Sequence, residues 1–336
     1  YKMNKFLFAL VLALVACNLD LDSLIFQQFQ RFITKYHKKY QSVNEYLARF
    51  EVFKKNVKAT FNEVNIPYKT GITKFSDLTQ QEFAKTYLNL NYDAMAMANF
   101  EPFTVKERND APDTLDWRDD GRVSAVKDQA QCGSCWAFAT VGNLEGLYAA
   151  NKGVMKTFSE QMLVDCDTSD SGCNGGLMQN TFNWIKRNGG IMYDSDYPYT
   201  GTDGSCKSDK SKYADFQVTG YKKLGSTWST WSCVDEGQIK TFLYETGPLA
   251  IALNANFLSS YVSGVLDKTS SECPTSSINH GVTLIGYGND SDSGLDYWLV
   301  KNSWGSDWGE SGFFRIRRGN GTCGVNCYIT TALVSF

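Results

Sequence analysis

The chain has 336 residues, a formal net charge of −3, 43% hydrophobic and 14% aromatic residues, and only two histidines. That apolar content supports one large core or two moderate ones and excludes a disordered tail. The faintly acidic balance excludes a basic face built for phosphate backbones, so no nucleic-acid partner is expected.

In chain order, Lys5 precedes an almost wholly apolar run from Phe6 to Ala16. This is the charged start and short core of a secretory signal, too short to cross a bilayer. Residues 1–17 are therefore read as a signal peptide, with translation starting at Met3. No later stretch reaches spanning length, so no membrane span is expected. The destination is the secretory pathway, ending in a lysosome or acidic vacuole or outside the cell. Within the segment 18–109, residues 20 to 65 are rich in charge and carry aromatic and aliphatic residues at helical spacing, Phe26, Phe29, Ile33 and Tyr36, then Phe50, Phe53 and Val57. Residues 89 to 112 lack periodicity, read as a linker and end at Ala111-Pro112, which sets a boundary near 110.

Beyond it, a helix is expected from Cys135 to about Ala150, begun by a Gly133-Ser134 turn whose serine is placed to cap it. Ser159-Glu160-Gln161 opens a second helix, and Thr181 to Lys186 belongs to a third. The runs Leu249 to Leu253, Val282 to Gly286, Tyr297 to Lys301 and Phe313 to Arg317 read as strands. A helical half (about 120–218) followed by a mostly antiparallel sheet half (219–336) is an α+β pattern.

The chemistry centres on Cys135. A cysteine at the first turn of a helix is favoured as thiolate by the free N–H groups there, and a neighbouring imidazole favours it further. Only one histidine, His280, lies beyond residue 100, so the base is assigned by elimination. Asn302, in Asn302-Ser303-Trp304-Gly305, is a candidate to orient that imidazole under the cover of Trp304. The Cys135 N–H and the Gln129 amide are candidate oxyanion donors. Taken singly, each has a plain alternative: Cys132-x-x-Cys135 as a redox pair or half a zinc site, His280 as a core histidine, Asn302 as a turn residue. With Cys17 at the signal cleavage region and Cys135 free, eight of the ten cysteines remain to form four bridges, as a secreted protein would.

The segments Gln129 to Phe138, Cys173-Asn174-Gly175-Gly176, Asn279-His280-Gly281 and Asn302 to Gly305 resemble the papain family of cysteine proteases. Upstream, Glu45, Arg49, Phe53 and Asn56, and Gly71-x-Thr73-x-Phe75-x-Asp77, resemble the family's inhibitory prosegment, with Thr60 and Val64 departing from its usual pattern. The branch leans toward cathepsin F and L. The resemblance implies a two-lobed papain-like fold preceded by a helical inhibitory propeptide. It implies a cysteine endopeptidase zymogen acting through a thioester, with Cys135, His280, Asn302 and Gln129 catalytic and with no cofactor.

It further implies the bridges Cys132–Cys173, Cys166–Cys206 and Cys273–Cys323, which leave Cys233 and Cys327 to form a fourth bridge, Cys233–Cys327, outside the family pattern, the alternative being two free thiols. Substrate would lie against Gly175, Gly176, Asn279, Trp304 and Trp308. Its P2 side chain would enter a pocket of Leu177, Met178, Ala252, Ile278, Gly281 and, at the base, Tyr328. That pocket offers no acid, so aliphatic P2 residues are expected. Expected partners are peptide and protein substrates, the chain's own propeptide and cystatin-like inhibitors, with the enzyme a monomer. Acid would release the propeptide as carboxylates such as Asp77 lose charge. Asn289 and Asn320 head glycosylation sequons, and no metal site is expected. The rival readings are a catalytically silent binding homologue and a transglutaminase or amidase using the same Cys–His chemistry.

Overall fold

A computed structural model describes residues 21–61, 63, 66–90, 102–225 and 233–336. Residues 1–17, read as a signal peptide, lie outside the described residues, as do Val64, residues 91–101 of the linker and residues 226–232. The prosegment begins with helices α1 (21–35) and α2 (Val43–Thr60). Ser42 caps α2 by accepting from the Glu45 N–H. The helical spacing of the aromatics brings Phe29, Phe32 and Phe53 into one small core.

A neighbouring face of α2 carries the polar signature. Asn56 Nδ2 donates to the Ser76 and Leu78 carbonyls at 2.9 and 2.8 Å. Arg49 reaches the Asp77 carbonyl and the Glu82 carboxylate, and Asp77 accepts from Lys38 and Tyr40. Thr79 and Glu82 form a capping box that starts α3 (Gln80–Tyr87). The Arg49 bond, with the Thr79 N–H, holds the Glu82 carboxyl down at about 2. Its stabilising effect is therefore present above the ordinary carboxylate range and is lost as pH falls toward about 2. Replacing Asn56 by alanine should strip two carbonyls of their donor and weaken this clamp by about 1–3 kcal/mol, read as faster propeptide release at acid pH than in the parent zymogen.

Strand β1 (Tyr68–Thr70) leaves the prosegment and pairs antiparallel with β6 (Tyr261–Leu266) of the body. Gly264 makes this possible: its φ is +91°, and a Cβ there would sit 2.6 Å from the Pro67 carbonyl oxygen. A second short strand, β2 (Pro102–Phe103), lies parallel to β4 (Gln217–Leu224). The prosegment thus extends the body's sheet at both ends of its path.

In the body, β3 (Leu115–Asp116) leads to the central helix α4 (Cys135–Lys152), followed by α5 (Glu160–Cys166) and α6 (Met178–Asn188). The remaining elements are β4, α7 (Glu236–Thr246) and the strands β5 (Leu249–Leu253), β6, β7 (His280–Asn289), β8 (Asp296–Lys301), β9 (Phe313–Arg317) and β10 (Tyr328–Ser335). The sheet order is β1-β6-β9-β8-β7-β5-β10-β4-β2, with β3 against β7. Most pairs are antiparallel as expected, but β6–β9 and β2–β4 are parallel. Helix α4 is buried along almost its whole length, consistent with its nearly uniform apolar composition. It packs against β5 and β7, so its first residue faces the strand that begins with His280. All four bridges are present, Cys132–Cys173, Cys166–Cys206, Cys233–Cys327 and Cys273–Cys323, and among the described residues the free cysteine is Cys135.

One local expectation fails. Ser134 stands at the start of α4 but makes no capping bond, because its hydroxyl pairs instead with the Tyr199 hydroxyl at 2.7 Å. The first N–H groups of α4 therefore stay available to whatever sits at Cys135.

Candidate active site

Cys135 is buried at the first turn of α4, and the N–H of Gly281, the residue after His280, turns toward its sulfur. His280 Nε2 lies 2.8 Å from Asn302 Oδ1, which also accepts the Ser303 N–H. Trp304 stacks on the imidazole with ring centroids 4.8 Å apart, shielding this bond as the sequence suggested. Nδ1 is buried without a well-formed hydrogen bond among the described residues, near the prosegment's Tyr87 carbonyl. The second ring nitrogen is thus the one left for proton exchange.

Gln129 is fully buried and fixed from both ends of its amide. Its Oε1 accepts from the Ser303 hydroxyl at 2.7 Å, and its Nε2 donates to the Cys132 carbonyl at 3.0 Å and the Tyr87 carbonyl at 3.3 Å. Ser303 was not singled out in the sequence beyond its place in the motif, yet it orients the oxyanion candidate.

The prosegment lies across these groups. Leu90 bridges Gly176 in parallel register and donates its N–H to the Asn279 carbonyl at 3.1 Å. Its side chain is buried in the same cluster as Leu177, Met178, Ala252, Ile278 and Tyr328. Gly175 has φ +115°, and a Cβ there would sit 2.1 Å from the Asn89 carbonyl oxygen, so the chain passes here only over bare backbone. A Cβ on Gly281 would meet the Cys135 carbonyl oxygen and Met178 Sδ, each at 3.2 Å. The start of the segment read as a linker is therefore a blocking strand. It lacks a periodic pattern because its backbone bonds go to the body and not to itself.

Tyr328 is buried, with its hydroxyl bonded to Gln179 Oε1 at 2.7 Å, so its ring is held inward from the sheet to α6. Trp308 stands behind Trp304 in the core, donating to the Leu258 carbonyl. Asn289 and Asn320 are exposed. Among the described residues no cluster of side chains could hold a metal, and no helix is long and apolar enough to cross a membrane.

In this blocked state burial opposes charge on both members of the dyad. Burial pushes the Cys135 thiol up to about 11 against the opposing pull of the Gly281, Trp136 and Asn89 N–H groups. Burial also pushes His280 down to about 4 despite the Asn302 bond. Behind the dyad, between α4 and the sheet, lies an ion cluster the sequence reading did not single out. Lys127 Nζ contacts Glu145 at 3.1 Å and Glu160 at 2.8 Å. Lys301 Nζ donates to the Ser124 hydroxyl at 2.7 Å, which in turn bonds Glu145.

Residues 111–333 match the family described as papain family cysteine protease, and residues 29–83 the cathepsin propeptide inhibitor domain. Cysteine proteinase 15A of Pisum sativum is 39% identical over 97% of this chain and 95% of its own length. Cathepsin F of Drosophila melanogaster is 38% identical over 91% of this chain and 50% of its own length. Among solved structures, digestive procathepsin L 3 of Tenebrio molitor superposes with a TM-score of 0.79 at 34% identity, covering 92% of this chain and 99% of that one. A free cysteine facing a histidine strand, lying under its own N-terminal segment, is what a protease made with its inhibitor attached would need, and this chain belongs to the papain family of cysteine proteases as a zymogen carrying the family's inhibitory propeptide.

Proposed function

We propose that the mature enzyme, about residues 110–336, is an endopeptidase that prefers Leu or Val at P2 and acts in an acidic or extracellular compartment after the propeptide of residues 18–109 is removed. The observation that carries the P2 preference is Leu90, an aliphatic side chain buried in the same apolar cluster as Leu177, Met178, Ala252, Ile278 and Tyr328 while its backbone bonds Gly176 and Asn279. The anchored Tyr328 shortens this pocket. None of these residues is an acid able to receive a basic P2 side chain.

In this reading the Cys135 thiolate attacks the peptide carbonyl carbon. The new oxyanion takes hydrogen bonds from the Cys135 N–H and from Gln129 Nε2, the donor now spent on Tyr87. His280, as imidazolium, gives its Nδ1 proton to the leaving amine, and the C–N bond breaks to leave a thioester on Cys135. The neutral imidazole then takes a proton from water, whose oxygen attacks the thioester and restores thiol and acid product. Asn302 holds the ring through Nε2 so that Nδ1 points the right way throughout. Cystatin-like inhibitors would compete for the same cleft.

A P2-diversified peptide library on the acid-activated enzyme tests the specificity, with Leu and Val expected to lead. P2 Arg outperforming P2 Leu would overturn it. Mass spectrometry of the enzyme mixed rapidly with a slow ester substrate should show the added mass of the acyl group on the peptide containing Cys135.

A further inference from the structure

A pair of carboxylates stands behind the strand that Leu90 occupies. Asp170 accepts the Leu177 N–H at 3.0 Å and Asn180 Nδ2 at 3.1 Å on one oxygen, and the Thr181 hydroxyl at 3.2 Å on the other. A Cβ added to Gly176 would lie 2.7 Å from the Asp170 carboxyl carbon, so this edge rests directly on the acid. Asp167 is 5% exposed. One of its oxygens accepts the Ser169 N–H at 2.7 Å, while the other is buried with no donor among the described residues. The two carboxyl groups lie within hydrogen-bonding reach of each other, so one proton between them would satisfy the orphaned oxygen.

We propose that Asp170 is a positioning residue for substrate, holding the Gly175–Leu177 edge in place through the Leu177 N–H, and that it does so while sharing a single proton with Asp167. Two carboxylates this close and this covered cannot both ionise at low cost, and the proton they hold belongs to the pair. Burial and the Asp167 charge push Asp170 up to about 8, and burial raises Asp167 as well. The folded protein therefore keeps a proton that the unfolded chain gives up in the ordinary carboxylate range. The arrangement is firmest in acid and weakens as pH rises through about 8.

The other charged or titratable groups facing the pair are Arg187 of α6, which bonds Ser169, and Tyr328 of β10. Arg187 is held on the Ser169 hydroxyl, and burial outweighs its pull on Asp167, so it does not remove the conflict. The edge that pairs with substrate would loosen on loss of the shared proton, raising KM while the dyad and its kcat are left intact.

This rests on the reading of Gly175–Leu177 as the substrate edge. The test uses the activated enzyme and a peptide with Leu at P2, with kcat and KM recorded from about pH 5 to about pH 9. KM of the parent should rise by roughly three- to tenfold across the alkaline half, the worth of one hydrogen bond, with kcat following a separate profile. Asp167→Asn supplies a permanent N–H donor to Asp170 and should flatten the KM rise. Asp170→Ala should raise KM at every pH, and where it fails to fold, Asp167→Asn carries the test alone.

A parent enzyme that cleaves the peptide while it and Asp167→Asn show the same KM rise overturns the proposal and leaves the peptidase reading intact. An equal loss of kcat and kcat/KM at all pH values, as a general structural lesion would give, also overturns it. No cleavage by the parent overturns both.

Discussion

Replacing Cys135 with alanine is expected to lower peptide hydrolysis by about a million-fold in kcat, the scale of removing the nucleophile from a hydrolase of this kind. Folding and the four bridges should survive, because no other residue depends on that sulfur beyond the backbone N–H groups turned toward it. The zymogen itself should also resist thiol reagents. With burial raising the thiol and lowering the imidazole, both favour their neutral forms at mildly acidic pH, and a neutral thiol is a poor nucleophile. Removing residues up to the boundary near 110 lifts Tyr87, Asn89 and Leu90 away and reverses the desolvation that drives both shifts. The N-terminus of α4, left uncapped by Ser134, then favours the thiolate. Iodoacetamide at about pH 6 should therefore label the mature enzyme about 100-fold faster than the zymogen, and Cys135→Ala in neither form. Equal labelling rates before and after activation would contradict this account of inhibition.

How much of this could be read from the chain varies with the chemistry involved. The catalytic candidates were legible because their residue types are dictated: a thiol at a helix start, one imidazole, one amide to orient it and one to meet the oxyanion. The strands of the body were legible from alternation. Cys233–Cys327 followed from parity once the family bridges were assigned. Tertiary partners were not legible. Ser134 has capping chemistry, but Tyr199, far along the chain, offers its hydroxyl a better-placed partner. Asn89 and Leu90 look like linker because their hydrogen bonds are made to Gly176 and Asn279. Nothing in the local sequence marks Lys127, Glu145, Glu160 and Lys301 as partners, and only the fold gathers them behind the dyad.

That cluster carries the second large expectation. Lys127→Met should destabilise the protein by about 3–5 kcal/mol at neutral pH, because it leaves Glu145 and Glu160 buried without their cation. The size should depend on pH in a definite direction. Burial, eased by Lys127 and reinforced by Glu145, already holds Glu160 up at about 7, so its folded form keeps a proton that the unfolded chain loses in the ordinary carboxylate range. Its contribution is then fullest in acid and falls as pH rises through about 7. Without Lys127 that window should shift further upward, and at about pH 4 Glu160 would be neutral and the lost cation would matter less. Lys301 is no full substitute: burial lowers its own affinity for a proton, and it reaches Glu145 only through the Ser124 hydroxyl. Unfolding of the Cys135→Ala zymogen by denaturant, with and without Lys127→Met, should show a large gap at about pH 7 that narrows at about pH 4. A gap of the same size at both would mean that the carboxylates are hydrated and that the cluster does not hold the helix and sheet together by charge.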